Sequence, residues 1–376
     1  MAETEKQIIA ASDESNAFAN QKTPSLSSYF GFRPSADNPV ERVRSQDLCM
    51  IVTRTPFRVS FFGGGTDYPE HFEKHGGAVL ATAMDKSLFL NATHFYSGLF
   101  DYSIRLAYRK VECVRQLNDI EHFPMREILR ACGIEKDIEI SLAAELPSFS
   151  GIGSSSSFVV GMLNTIAAFQ GRYVKPIELA YEAIRIEREV LNECVGCQDQ
   201  VLAAIGGFHL VEFRSRDNIT THRVTMSSED MKEFEDHLLM VYTGLRRRAS
   251  EQASRQVARI DMNREALLAI RKMVDESYEA LVGTKNFERF GKLLHRSWQI
   301  KRELESSISN NDIDDLYTKA FNAGAWGGKL LGAGGGGFLL FVVPPDRRPE
   351  VMQAMGNVEQ VPIKIDAAGS QILFAS

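Results

Sequence analysis

The stretch Gly151-Ile-Gly-Ser-Ser-Ser-Ser157 sets two spaced glycines and four serines where an apolar helix begins. A helix start carries unpaired backbone N–H groups and the positive end of the helix dipole, so it favours an anion. Glycines admit close approach, serine hydroxyls add donors, and a phosphate chain is the natural guest; a plain Ser154 cap is the alternative. The Walker pattern with its lysine is absent. Gly332, Gly334 and Gly337 match the spacing of a dinucleotide fingerprint, but they precede a strand instead of opening a helix, which argues against a nicotinamide enzyme.

Two carboxylates stand out. On the helix expected over 177–193, Ile177, Ala180, Ile184 and Leu191 form the apolar stripe and Glu187 falls on it. A carboxylate turned inward needs a partner, either a magnesium ion or an arginine such as Arg58. Asp199 precedes a short apolar helix and either caps it or, beside a phosphate cradle and a metal carboxylate, orients and deprotonates a hydroxyl for phosphoryl transfer. Upstream, Phe57, Val59 and Phe61 alternate with Arg58 and Ser60 along a strand that enters Gly63-Gly-Gly-Thr-Asp67, placing Arg58 opposite the apolar face. Thr66-Asp67 after this loop can present a carboxylate to a polyol hydroxyl; an ordinary glycine turn with a solvent-facing Arg58 is the alternative.

Other pairs carry less. Cys194 and Cys197 have CxxC spacing without a second pair or histidine partners, so no zinc site is expected. His71 and His75 stand four apart without the order of a zinc protease helix and read as surface residues.

The elements that must hold these groups alternate in type. Strands are expected over 51–62, 77–94, 102–111 and 138–142, and a helix near 125–132. The apolar helix after the serines stops at Gly171 and is followed by the helix over 177–193 and a strand within 206–213. Then come a strand over 237–242, charged helices over 251–305, a helix over 312–325, a strand after Gly337, and a last helix and strand near 349–355 and 371–374. This pattern predicts an α+β protein with a polar, disordered or loosely attached extension over 1–49 and domains over 50–220 and 221–376. A chain of 376 residues can bury two cores, and a net charge of -6 gives no hint of a nucleic-acid surface. No apolar run reaches the roughly 20 residues of a membrane span, and with five scattered cysteines a cytoplasmic location is expected.

With these pieces in place, residues 50–376 resemble the GHMP small-molecule kinases, which include galactokinase, homoserine kinase, mevalonate kinase and phosphomevalonate kinase. The family's second motif stands as Pro147-Ser-Phe-Ser-Gly151-Ile-Gly-Ser-Ser155, and its third as Lys329-Leu-Leu-Gly332-Ala-Gly334-Gly-Gly-Gly337. The segments RTPFRVSFFGGGTDYP, GGAVL and GAWGGKLLGAGGGG look most like the D-glycero-D-manno-heptose 7-phosphate kinases, with fucokinase-type enzymes more distant. The first motif departs from the wider family, Gly-Gly-Gly-Thr-Asp replacing Gly-Glu-His.

The resemblance implies the two-domain GHMP kinase fold, with an N-terminal domain like domain 2 of ribosomal protein S5 and a ferredoxin-like C-terminal domain. It implies ATP at Pro147, Gly151, Ile152, Gly153, Ser154, Ser155 and Ser156, Mg²⁺ at Ser155 and Glu187, and Asp199 and Arg58 as catalytic residues, Asp199 being the base. The third motif would buttress the phosphate loop, and the sugar phosphate would meet Gly64, Gly65, Thr66, Asp67, Arg248, Gly334 and Gly335. Arg248, in the run of arginines at 246–248, either holds the sugar's own phosphate or belongs to a solvated charge cluster. A kinase for a neutral sugar and a non-catalytic sugar sensor remain as rival readings.

Overall fold

The structure, a computed structural model, describes residues 50–245 and 249–376; the extension expected over 1–49 and Arg248 lie outside them. In chain order the first part builds β1 (Met50–Phe62), α1 (Pro69–His75), β2 (Gly77–His94), β3 (Ile104–Ala107), β4 (Val111–Val114), α2 (Phe123–Ala131), β5 (Ile138–Ala144), α3 (Ser154–Phe169), α4 (Pro176–Arg185), α5 (Gln198–Ile205), β6 (Phe208–Ser215) and β7 (Asn218–Arg223). The second part builds α6 (Ser228–His237), β8 (Leu238–Tyr242), α7 (Ala249–Val257), α8 (Arg264–Tyr278), α9 (Phe287–Leu304), α10 (Asn311–Asn322), β9 (Gly327–Leu330), β10 (Phe338–Val342), α11 (Arg348–Met355), β11 (Glu359–Gln360) and β12 (Gln371–Ala375).

β2 organises the larger, eight-stranded sheet. Its 18 residues are long enough to serve two neighbours on one edge, β6 along its first half and β5 along its second, while β1 covers the other edge. The order runs β12-β1-β2-β5-β3-β4, with β6 and β7 added beside β2. A four-stranded antiparallel sheet, β11-β8-β10-β9, forms from the second part. The boundary expected near residue 220 falls inside β7, and β12 returns to pair with β1 in the first sheet. The single strand expected over 102–111 is instead a hairpin, β3 and β4, split at residues 108–110.

Helix α3 is buried from Ser156 to Phe169, in keeping with its largely apolar sequence. It lies against β1 closely enough that Thr53 and Thr165 share a buried hydrogen bond of 2.6 Å. The site's strand is also anchored on its other side. Phe61 and Phe62 pack on Phe290 of α9, and Phe61 also meets Phe208 and Phe234, with ring centroids 5.1–5.7 Å apart. Each such pair contributes roughly 0.5–1.5 kcal/mol beyond area burial. The loop after β1 is therefore held between elements from both parts of the chain.

The helix expected over 177–193 changes pitch. After Arg185 the backbone widens into a π-helical turn, Ile186–Val190, in which Leu191 N donates to Ile186 O at 2.8 Å. Such turns are uncommon and recur at functional sites. Here the turn contains Glu187.

Candidate functional site

The anion cradle is built as its residue types require. Gly151 and Gly153 hold φ of 81° and 74°, so the chain can turn sharply into α3 without a Cβ penalty. The first turn of α3 then presents Ser154, Ser155 and Ser156 to one cleft. The fourth serine serves the fold: Ser157 N donates to Gly153 O and its hydroxyl donates to Pro56 O at 2.8 Å. Pro147 and Ile152, expected at the nucleotide, shape the loop from behind. Pro147 O accepts from Ser150 Oγ, and Ile152 is fully buried with its carbonyl accepting from Arg58 N at 3.1 Å.

Arg58 binds this loop to the next functional group. Its Nη1 donates to Gly151 O at 2.7 Å, while Nε and Nη2 clasp both oxygens of Asp199 at 2.7 and 2.8 Å. Asp199 thus spends its carboxylate on Arg58 instead of capping α5, whose start has no side-chain cap. Arg58, the arginine weighed above as a partner for Glu187, is engaged by Asp199. One bond per oxygen leaves each carboxylate oxygen able to accept another, so a substrate hydroxyl can still bind.

The glycine loop after β1 forms the facing wall. A Cβ on Gly63 would sit 1.9 Å from Ala78 O, so this glycine is demanded by the packing of the loop on β2. Thr66, expected at the substrate, is fully buried and its hydroxyl bonds Gly63 O and Ala78 O at 2.8 and 2.9 Å, pinning the turn. Gly64, Gly65 and Asp67 do line the cleft. The Asp67 carboxylate accepts from Gly65 N at 3.0 Å and from Gln198 N at 3.4 Å. Burial first, and the nearby Asp199 second, push its pKa above the usual carboxylate range.

The third glycine-rich segment supports the cradle by contact. A Cβ on Gly332 would stand 2.5 Å from Gly151 Cα, and one on Gly337 2.1 Å from Ser150 O. Gly334 and Gly335, expected at the substrate, are packed away from it on Ile308, where Gly335 N donates to Ile308 O at 2.9 Å. Gly332 and Ala333 take their place in the lining.

Glu187 is fully buried beneath Ser156. It accepts from Gln200 Nε2, while Oε1 lacks a hydrogen bond of good geometry although the Ser156 hydroxyl is near enough to favour the charged form. Burial dominates and pushes its pKa up to about 7. A buried carboxylate with a spare oxygen beside Ser156 suits Mg²⁺, which takes one or two carboxylates and completes its shell with water and substrate phosphates. Among the described residues no group of three or more His, Cys, Asp or Glu is arranged to hold a metal ion alone.

Several lining groups escaped the reading of the sequence. Ser60 Oγ and Gln198 Oε1 are buried in the cleft wall without hydrogen-bond partners, and Lys301 and Lys329 reach it from α9 and β9. Ser60 shares strand parity with Arg58, which was a usable signal. His71 departs from its expectation as a surface residue: it is fully buried, its ring centroid 5.3 Å from that of His75, and burial lowers its pKa to about 4.

Residues 119–207 match the family described as GHMP kinases N terminal domain, and residues 270–359 match GHMP kinases C terminal. The D-glycero-alpha-D-manno-heptose 7-phosphate kinase of Campylobacter jejuni is 29% identical over 318 residues, covering 81% of this chain and 93% of that protein. The mevalonate kinase of Thermococcus sibiricus is 25% identical over 252 residues, 63% of this chain and 70% of that one. Among solved structures, a D-glycero-D-manno-heptose 1-phosphate kinase from Bacteroides thetaiotaomicron superposes with a TM-score of 0.71 at 23% identity, covering 86% of this chain and 99% of that one. The galactokinase of Lactococcus lactis, complexed with galactose, superposes at 0.65 with 17% identity, over 88% and 96% of the two chains.

Proposed function

Because the chain belongs to the GHMP kinases and has their two-domain fold, we propose that it transfers the γ-phosphoryl group of ATP to the C1 hydroxyl of D-glycero-D-manno-heptose 7-phosphate. The product is the 1,7-bisphosphate, a precursor for nucleotide-activated heptose and surface glycan synthesis. One observation carries this reading. A single cleft joins an anion-binding helix start at Ser154–Ser156 to a wall bearing Asp199, Asp67, Ser60 and Gln198, a set suited to a polyol. The 29% identical relative supports the heptose 7-phosphate in particular. Among the described residues no helix is long and apolar enough to cross a membrane, in keeping with a cytoplasmic enzyme.

In the proposed mechanism the backbone N–H groups and hydroxyls of Ser154, Ser155 and Ser156 hold the phosphates. Asp199 accepts the proton of the C1 hydroxyl as the new O–P bond forms and the bond from the γ-phosphorus to the bridging oxygen of ADP breaks. Arg58 fixes Asp199 by two parallel hydrogen bonds and ties it to the loop through Gly151. Asp67, Ser60 and Gln198 orient the sugar hydroxyls. Ser155 and Glu187 would hold Mg²⁺, which neutralises charge on the phosphate oxygens.

The substrate is tested by ADP release across D-glycero-D-manno-heptose 7-phosphate, sedoheptulose 7-phosphate, free mannoheptose, galactose and fucose. The heptose 7-phosphate is expected to give the highest kcat/KM. Turnover of only an unphosphorylated sugar would replace the substrate, and absence of turnover would favour a sensor. The metal role has its own test. Glu187→Gln keeps the shape and the Gln200 contact but removes the charge, so the Mg²⁺ concentration for half-maximal activity should rise about tenfold or more. An unchanged Mg²⁺ requirement would remove Glu187 from the metal.

A further inference from the structure

Two lysines are buried at the cleft, and neither forms an ion pair with a carboxylate among the described residues. Lys301, 8% exposed, donates to Gly332 O at 2.6 Å. Lys329, 3% exposed, donates to Ser60 O and Phe61 O at 2.8 and 3.0 Å. Buried charge is costly and is normally matched by an opposite charge. Backbone carbonyls match hydrogen bonds but carry no net charge.

The donor count separates the two roles. An ammonium has three N–H groups. Lys329 spends two on the last residues of β1, which fixes the strand end leading into the glycine loop. Lys301 spends one on Gly332, the residue pressed against Gly151, and keeps two in the cleft. Arg58 reaches the same Gly151–Gly332 contact through Gly151 O.

We propose that Lys301 binds the phosphoryl group in transfer, adding positive charge to the cleft that the serine helix start lines, and that Lys329 is a positioning residue that holds the glycine loop. The proposal deepens the kinase reading and rests on it. The groups facing Lys301 are Arg58 from β1, Lys329 from β9, Asp67 from the glycine loop and Asp199 from α5. Burial and then Arg58 lower its pKa to about 8, the two aspartates opposing. In the free enzyme Lys301 therefore loses its proton as pH rises through about 8, well below the usual lysine range.

Three readouts test this. Calorimetric titration of Lys301→Met with Mg-ATP and with Mg-ADP should show the preference for ATP lost, because the missing contact is to the γ-phosphoryl, and kcat/KM should fall about 100-fold. The wild-type kcat/KM for ATP should decline above about pH 8, whereas Lys301→Arg, which stays charged, should keep measurable activity and move that decline upward by at least about one pH unit. Stability gives the third. Below pH 8 the lysine is charged in both states and the fold bears the burial penalty, so Lys301→Met should melt higher than wild type at pH 7.

A lysine serving only to hold Gly332 would give the opposite melting result. The proposal is overturned if Lys301→Met keeps the wild-type ratio of ATP to ADP affinity, or if Lys301→Arg leaves the alkaline decline in place. Silence of the wild-type chain toward every sugar would overturn the substrate reading alone, since the nucleotide titrations still test Lys301.

Discussion

Replacing Asp199 by Asn should lower kcat about 1,000-fold while Mg-ATP still binds, the middle of the range for removing a positioned general base. The amide keeps the size of the side chain and one oxygen for Arg58, but it presents an NH₂ group to the other guanidinium donor. The two parallel bonds at 2.7 and 2.8 Å cannot both survive. Two consequences therefore add: the proton acceptor is gone, and Arg58 loses half of its hold. Arg58 keeps its bond to Gly151 O, so the phosphate loop should remain in place and nucleotide affinity should be nearly unchanged. Steady-state kinetics with a calorimetric ATP titration separate the terms. Near-normal kcat would take Asp199 out of the base role, and a large loss of ATP affinity would recast it as a support for the loop.

How far the sequence could be read depended on whether a signal was local. Glu187 was legible because one charge interrupted an otherwise apolar stripe. Lys301 obeys the same rule, lying in line with Phe290, Leu294, Trp298 and Leu304 on the buried face of α9. It was passed over because residues 251–305 are so rich in charge that one more on the wrong face does not stand out. The glycine segments were legible as close approaches, but which backbone approaches which is a tertiary fact. Gly63 answers to Ala78, Gly332 to Gly151 and Gly334 to Ile308, and no spacing specifies those partners. Thr66 looked like a substrate ligand because a hydroxyl beside Asp67 has no local signature of being spent on Ala78 O. The short run 371–374 read as a strand without naming its neighbour, so the return of β12 to β1 could not be foreseen. The π-helical turn at Ile186–Val190 has no local pattern either, because hydrogen bonding to the fifth residue depends on what packs around it.

The close approach of Gly332 and Gly151 leads to the other large effect. Gly332→Ala should destabilise the protein by about 3 kcal/mol or more, adding roughly 1–2 kcal/mol for a left-handed backbone and roughly 1–3 kcal/mol for overpacking. Its φ is 73°, and the new methyl would lie 2.5 Å from Gly151 Cα and 2.9 Å from Gly151 O, atoms of backbone that cannot rotate aside. Relief requires the third glycine segment and the phosphate loop to separate. That motion would draw Gly151 O from Arg58 and Gly332 O from Lys301, so the cleft loses its alignment along with the packing. The variant should therefore lose ATP affinity under conditions where it is still folded. Gly98→Ala is the control, since a Cβ there meets nothing within 4 Å. Denaturant unfolding of the two variants, paired with ATP titration, decides the matter: a Gly332→Ala protein with wild-type stability and wild-type ATP affinity would show that the two segments need not touch for the site to form.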